Sequence, residues 1–160
     1  MKKLYLVRHA TSDLGDAKLS DFDRTLNEKG LRDAQALGKA LAQLETFPDQ
    51  ILASPAIRAK TTAKLIAKEL RCMEKIVLER PIYEATRSEL LHTIGSIEDQ
   101  HNTVILVGHN PSLADLGHHL VNFHANFAPC TLLEIDIDID TWKDIEIGDS
   151  KLQNFYKPQE

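Results

Sequence analysis

The sequence has little of what marks the specialised classes of protein. Its 160 residues include only two cysteines, Cys72 and Cys130, which stand far apart and form no C-x-x-C pair. A disulfide framework or a cysteine zinc site is therefore not expected. The first apolar run starts at Leu4 and stops at Arg8, too short for a secretory signal, and nothing approaches the roughly 18 apolar residues of a membrane span. We expect a cytoplasmic protein with two buried thiols and no membrane partner.

The chain also lacks an excess of positive charge. Lys and Arg number 19 against 24 Asp and Glu, which gives a formal net charge of −5. Nucleic-acid-binding domains usually carry a basic patch that neutralises several phosphates, so no nucleic-acid partner is expected and any anion site must be local. The composition, 42% hydrophobic and 27% charged, is that of an ordinary globular protein. Its length fits one domain, residues 1–160, with a substantial core.

Short apolar runs alternate with segments of helical spacing along the first two thirds of the chain. The runs predict strands at residues 4–7, 50–53, 76–78 and 103–107. Between them, apolar residues recur at the spacing of one helix face, which predicts helices over 31–44, about 55–70 and 90–97. This alternation is typical of an α/β protein, a three-layer α/β/α sandwich with a mostly parallel central sheet.

Polar residues before the helices predict where each helix begins. Thr25 or Asn27 can cap the first helix. The pairs 54–55 and 110–111, Ser-Pro and Asn-Pro, each have the form of an N-cap followed by proline at the first helical position. Residues 86–89 have the form of a capping box.

The last third of the chain changes character. Residues 133–140 alternate strictly between apolar and acidic, which predicts a strand with one wet face. Residues 142–147 are expected to pair with that strand as a hairpin. The tail from Gly148 either closes the structure or frays.

Two segments superficially resemble metal sites. Residues 136–147 begin like a calcium loop, with aspartate at alternate positions, but the sixth residue is Thr141 instead of glycine and the twelfth is Ile147 instead of glutamate. The histidines of segment 118–124 have no carboxylate at a recognised ligand spacing. No metal or other cofactor is expected.

Chemistry-bearing residues follow three of the predicted strands. Arg8 and His9 close the first strand, Arg58 comes shortly after the second, and His109 closes the fourth. Ligands of open α/β sheets bind outside the carboxyl ends of the strands, so these side chains are predicted to converge. Arg24, in the loop after the first strand, either closes over the same crevice or pairs with a neighbouring aspartate on the surface. Three guanidiniums and two imidazoles favour a phosphate dianion, because the planar guanidinium binds phosphate oxygens in pairs and keeps its charge.

These residues resemble the motifs of a known family. Arg-His at 8–9, Ser-Pro-x-x-Arg-Ala-x-x-Thr at 54–62 and Gly-His-Asn-Pro at 108–111 are similar, in order and spacing, to the histidine phosphatase superfamily. The short chain, Asp-Arg-x-Leu-x-x-x-Gly at 23–30 and Leu113 make it most similar to the SixA-type phosphohistidine phosphatase branch. The resemblance covers nearly the whole chain and implies a phosphoglycerate mutase-like fold. The chain departs from the pattern at residue 10, where alanine replaces the glycine of many members.

The resemblance implies a metal-independent hydrolase in which His9 attacks phosphorus and forms a phosphohistidine that water then hydrolyses. Arg8, Arg24 and Arg58 would hold the phosphoryl oxygens, and His109 would supply a hydrogen bond or a positive charge. His9 needs one bare ring nitrogen, with the other held by an acceptor, and a backbone carbonyl of its own loop is expected there.

Glu84 lies after the third strand, where the wider family places the acid that protonates the leaving group; the alternative is a solvated loop carboxylate. The brief loops leave little room for an inserted cap, and an open pocket suits a phosphorylated protein. Protein phosphohistidine is therefore the expected substrate. The alternatives are a small phosphorylated molecule, hydrolysed by a phosphomonoesterase, and a catalytically silent module that binds phosphoproteins through its arginines.

Overall fold

A computed structural model of the chain describes residues 1–14 and 18–159, so residues 15–17 of the predicted loop 11–25 lie outside the description. Within this range one sheet contains the strands β1 (Lys2–Arg8), β2 (Gln50–Ala53), β3 (Ile76–Leu78), β4 (Thr103–Gly108), β5 (Leu132–Asp138) and β6 (Asp149–Tyr156). The strand order is β3-β2-β4-β1-β5-β6, and β5 and β6 are antiparallel to their neighbours while the other pairs are parallel. The predicted sheet, mostly parallel with antiparallel C-terminal strands, is confirmed.

Helices cover both faces of the sheet. They are α1 (Glu28–Gln43), α2 (Ile57–Leu70), α3 (Arg87–Gly95) and α4 (Ser112–Val121). Successive strand residues point to opposite faces, so Val7 and Ile105 pack under α1 and α2, while Leu6 and Leu106 pack under α3 and α4. The three-layer arrangement is therefore confirmed. Over residues 1–14 and 18–159, no helix is both long and apolar enough to cross a membrane.

Two of the helix starts agree with the sequence. The Asn27 side chain accepts a hydrogen bond from the Gly30 N–H at 2.8 Å and caps α1. Thr86 and Glu89 form the predicted capping box at the start of α3. In both cases a short polar side chain satisfies an N–H group that the helix itself leaves unpaired.

The two cap-plus-proline predictions are wrong. The N-cap of α2 is Ala56 and that of α4 is Pro111, and neither makes a side-chain capping bond. The polar side chains that the sequence assigned to capping have other partners: Ser54 Oγ accepts from the N–H of Ala56 and contacts His109, and Asn110 donates to the Phe127 carbonyl at 2.9 Å.

The predicted hairpin strand over 142–147 is also wrong. Trp142–Asp144 form a short 3₁₀ helix, and the strand that pairs with β5 is β6, formed by the segment expected to close or fray. Trp142 is fully buried, and its indole donates to the His101 carbonyl at 2.7 Å while its backbone N–H donates to Asp99 at 3.1 Å. These contacts hold the segment away from the sheet. Most β6 side chains are exposed, so no alternating pattern marked that strand.

Gly30 allows the loop after β1 to pack on the first turn of α1. A Cβ at Gly30 would collide with the carbonyl oxygen of Thr11. That oxygen accepts a hydrogen bond from the Asn27 N–H at 3.0 Å, so the loop backbone lies directly against the helix start.

Gly30→Ala is expected to lower the free energy of unfolding by about 2 kcal/mol, because backbone atoms of Thr11 must move to make room. Urea unfolding followed by circular dichroism measures the change. Gly95→Ala is the matched control, since its Cβ would meet nothing nearer than 3.9 Å and its stability should stay the same or rise. A Gly30→Ala protein as stable as the wild type would contradict this close contact.

Candidate active site

The carboxyl ends of β1 and β4 bring two histidines together. Arg8 lies opposite Gly108 in the parallel register, and the His9 N–H donates to the Gly108 carbonyl at 3.0 Å. His9 and His109 follow these strands directly, and their ring centroids lie 5.2 Å apart. Each residue is only 7% exposed. The structure therefore places the two predicted histidines in one buried cluster.

The loop after β1 fixes the His9 ring. Nδ1 lies 2.8 Å from the Ala10 carbonyl oxygen, and because a carbonyl only accepts, Nδ1 carries a proton. In a neutral ring Nε2 is then bare. The Ala10 N–H in turn donates to Thr62 Oγ1 at 3.0 Å, and Ala10 is fully buried. The expected backbone acceptor is present, and alanine is accommodated at position 10.

Ser54, which follows β2, holds the His109 ring. His109 Nε2 lies 2.8 Å from Ser54 Oγ. The same oxygen accepts a hydrogen bond from the Ala56 N–H at 3.2 Å. The ends of β1, β2 and β4 therefore all contribute to this cluster.

One aspartate joins two of the predicted arginines. Arg58, in the first turn of α2, donates from Nη1 to the Asp21 carbonyl at 2.6 Å and from Nη2 to the Asp21 carboxylate at 3.1 Å. Arg24 donates from Nη1 to the same carboxylate at 2.9 Å. Arg24 therefore pairs with a neighbouring aspartate, which was one of the two alternatives that the sequence left open. Because the same aspartate also binds Arg58, the two arginines lie close together.

Buried nitrogens without partners indicate where an anion fits. In the described part of the chain, Arg8 Nε, Arg58 Nε and His109 Nδ1 are buried and make no hydrogen bond. Buried polar atoms are nearly always paired, so an unpaired one calls for an explanation such as a bound ligand or water. These three atoms come from the ends of β1 and β4 and from the first turn of α2, and two of them belong to guanidiniums with permanent positive charge. The arrangement favours an anion with several oxygens.

Asp21 and Tyr83 belong to the site and were not identified from the sequence. The Tyr83 hydroxyl donates to Asp21 Oδ2 at 2.7 Å, and its ring lies edge-on to His109 with centroids 5.6 Å apart. The Tyr83 hydrogen bond, together with Arg58 and Arg24, lowers the pKa of Asp21 to about 2, and the Asp21 carboxylate raises the pKa of Tyr83 to about 12. The available signals were positional: Asp21 precedes Arg24 by three residues, and Tyr83 precedes Glu84.

A pocket of about 410 Å³ opens beside His109 and contains Glu84. Its lining includes Asp21, Arg58, Tyr83, Glu84 and His109. Glu84 is exposed and has a left-handed backbone, with φ of 55°. A larger cavity of about 550 Å³ between α3 and residues 143–146 contains none of the predicted site residues. Glu84 thus lies at the rim of the pocket that Arg58 and His109 line.

Burial keeps both histidines neutral. It is the main cause that lowers the pKa of His9 to about 3, with smaller contributions from His109, Arg58 and Arg8 and an opposing one from the hydrogen bond to Ala10. Burial also lowers the pKa of His109 to about 4, followed by the charge of Arg58. At pH 7 His9 therefore keeps a bare nitrogen. His109 can offer a hydrogen bond there but not a positive charge.

These pKa values predict a loss of stability in mild acid. An unfolded histidine binds a proton below pH 6.5, whereas folded His9 and His109 do so only near pH 3 and 4, so the unfolded state binds more protons in between. The free energy of unfolding should therefore fall as pH drops below 6.5, by about 2 kcal/mol per histidine at pH 5. Asp21, whose pKa is lowered to about 2, adds its own loss only below pH 3.8.

Urea unfolding at pH 7 and pH 5 measures this effect. His9→Gln should remove about half of the loss, because one of the two buried imidazoles is gone. Identical losses in the wild type and in His9→Gln would contradict a low pKa for His9.

Comparison with known proteins gives a family and a fold. The sequence profile of the histidine phosphatase superfamily (branch 1) matches residues 4–85, which include Arg8, His9, Arg24, Arg58 and Glu84. A crystal structure from Agrobacterium tumefaciens, of a protein assigned as the phosphohistidine phosphatase SixA, superposes with a TM-score of 0.84. It is 26% identical in sequence, and the match covers 99% of each chain.

Two sequence relatives differ in how much of their length this chain spans. An uncharacterized protein of Mycobacterium tuberculosis is 27% identical over 165 residues, which cover 96% of this chain and 100% of the relative. An uncharacterized chloroplastic protein of Arabidopsis thaliana is 40% identical over 63 residues, which cover 39% of this chain and only 29% of the relative.

Proposed function

The chain belongs to the histidine phosphatase superfamily (branch 1), and from this membership we propose that it hydrolyses phosphoryl groups through a phosphohistidine intermediate on His9. One observation carries the proposal: His9 is buried and neutral, with a bare Nε2, in a cluster that contains unpaired donors of Arg8 and Arg58. Arginines alone would suit a binding module. A nucleophile within their electrostatic reach favours an enzyme.

The reaction proceeds in two displacements at phosphorus. Nε2 of His9 gives its lone pair to phosphorus, and the bond to the leaving group breaks with its electrons going to that group, which takes a proton from Glu84 or from water. Water then attacks phosphorus and gives a proton back to Glu84 or to solvent, the P–N bond breaks with its electrons returning to His9, and inorganic phosphate leaves. Arg8, Arg58 and His109 donate to the phosphoryl oxygens throughout, since a loose transition state needs mainly positioning and charge.

The substrate we propose is a phosphohistidine side chain of another protein. The pocket that contains Arg58 and His109 has exposed Glu84 at its rim, which suits a side chain presented from outside. The Agrobacterium protein of the same fold, assigned as a phosphohistidine phosphatase, supports this choice. The free, buried thiols of Cys72 and Cys130 support a reducing compartment, the cytoplasm.

A small phosphate ester is the second candidate, and Glu84 is the observation that favours it. An alkoxide leaving group needs a proton more than an imidazole does. Asp21 also lines the pocket, but its carboxylate already accepts hydrogen bonds from Arg58, Arg24 and Tyr83. Glu84 is then the remaining carboxyl among the residues named above.

Single-turnover phosphate release tests His9 as the nucleophile. Wild-type protein mixed with a phosphohistidine-bearing protein should form an acid-labile phosphoenzyme. His9→Ala should form none and should release phosphate roughly a thousandfold more slowly. His92→Ala, which removes an exposed histidine of α3, is the matched control. A wild-type protein that binds phosphoprotein but never turns it over would favour the binding module.

Glu84→Gln separates the two substrate classes. It should slow hydrolysis of a simple phosphate ester about a hundredfold, because the leaving alkoxide loses its acid, and should change phosphohistidine hydrolysis little. Glu74→Gln is the matched control, since Glu74 lies just before the amino end of β3 whereas Glu84 follows the carboxyl end of that strand. Equal losses on both substrates would count against Glu84 as an acid used for esters.

A further inference from the structure

The hydroxyl of Ser54 is buried in the site, and the proposed reaction gives it no role. Ser54 is fully buried, and its own N–H donates to the Val107 carbonyl at 3.1 Å, which fixes the residue between β2 and β4. Its Oγ has two partners, the Ala56 N–H at 3.2 Å and His109 Nε2 at 2.8 Å. It does not cap α2, so its position needs another explanation.

The hydrogen-bond capacity of these groups selects one arrangement of protons. A serine hydroxyl has one proton and two lone pairs, and the Ala56 N–H occupies a lone pair. If the Ser54 proton goes to His109 Nε2, both groups are satisfied. If Nε2 carries the proton instead, the Ser54 proton finds no acceptor among its contacts in the described residues, and a buried donor left unpaired is costly.

We propose that Ser54 is a positioning residue that fixes His109 in the Nδ1–H tautomer, so that Nδ1–H points its proton to a phosphoryl oxygen. The inference rests on the proposed phosphatase function and assigns a proton within that site. Within the described part of the chain, His109 Nδ1 is one of the buried nitrogens left without a partner, as a donor that awaits a ligand would be.

The two histidines then share one tautomer but use opposite ends of the ring. His9 gives its Nδ1 proton to the Ala10 carbonyl and keeps Nε2 bare for phosphorus. His109 accepts a proton from Ser54 at Nε2 and keeps Nδ1–H for oxygen. Both rings therefore carry one proton, on the same nitrogen. His9 is the nucleophile because a backbone carbonyl holds that proton, and His109 is the donor because a serine hydroxyl occupies its other nitrogen.

Nitrogen NMR of histidine-labelled protein at pH 7 tests the tautomer directly, with His109→Gln identifying the signals of His109. In the wild type, Nδ1 of His109 should be protonated and Nε2 bare. Ser54→Ala should populate the Nε2–H tautomer, and Ser54→Thr, which keeps the hydroxyl, should restore the wild-type pattern. Ser112→Ala is the matched control, because the Ser112 hydroxyl donates to the backbone carbonyl of His109, at 3.1 Å, and its loss should leave the tautomer unchanged.

The same variants give a kinetic readout. Ser54→Ala should lower kcat for phosphohistidine hydrolysis about tenfold, the equivalent of one hydrogen bond, and Ser54→Thr should recover most of it. An Nε2–H tautomer in the wild type, a doubly protonated ring, or an unchanged tautomer in folded Ser54→Ala would each overturn the proposal.

Failure here and failure of the proposed function are distinguishable. The wild-type spectrum requires no turnover, so a wrong tautomer in an active phosphatase overturns only the role of Ser54. The expected tautomer in a protein that hydrolyses nothing overturns only the phosphatase.

Discussion

Strands β1 and β4 pair in parallel through backbone hydrogen bonds, and the point at which this pairing ends determines the distance between His9 and His109. The last pair in register is Arg8 with Gly108, so the next residue of each strand is a histidine. From the other side, the Cys130 N–H donates to the carbonyls of both Arg8 and His9, at 3.0 and 3.1 Å. Both strands are packed on two faces of the sheet. A shift of one residue in their register would move each buried side chain to the opposite face. Backbone pairing therefore holds His9 opposite His109.

Asp21 connects the rest of the site to that pair. It binds Arg58 through both its carbonyl and its carboxylate, which uses the two Nη atoms and leaves Nε for a ligand. It also accepts from Tyr83, whose ring packs edge-on against Phe22 with centroids 5.2 Å apart. The Arg80 guanidinium lies 5.5 Å from the Phe22 ring and 4.9 Å from the Tyr83 ring. The short 3₁₀ helix Asp21–Asp23 is thereby tied to α2 and to the segment before α3.

Patterns within a few residues predicted the local elements of the structure correctly. The predictions were wrong where contacts between residues far apart in the sequence determine the conformation. The four parallel strands, the cap at Asn27 and the capping box of α3 follow from patterns within a few residues, and all are confirmed. Ser54 has the local signal of a cap, but its hydroxyl bonds to a histidine 55 positions away. Trp142 opens the segment that was expected to complete a hairpin, yet its buried indole donates to the His101 carbonyl and residues 142–144 form a 3₁₀ helix.

The site itself was predictable as far as strand ends determine it. Arg8, His9 and His109 were expected to converge because parallel strands end at one edge of a sheet, and the structure places them there. Asp21 and Tyr83 were not predicted as site residues, because no sequence pattern marks an exposed aspartate or a half-buried tyrosine as functional. Only the folded structure brings the two side chains into contact.

In this site the arginines that suit phosphate binding always carry a charge, whereas the histidine that suits nucleophilic attack must be neutral. Arginine stays charged at any accessible pH, so the three arginines give a chain of net charge −5 a local excess of positive charge even after Asp21 neutralises part of it. A nucleophilic histidine must instead be neutral, and burial achieves this because it disfavours the imidazolium. Burial also leaves Arg8 Nε, Arg58 Nε and His109 Nδ1 without partners among residues 1–14 and 18–159, and an unpaired buried donor costs stability. Burial thus has two effects: it keeps His9 neutral, and it leaves these donors free for the phosphoryl group that we propose His9 attacks.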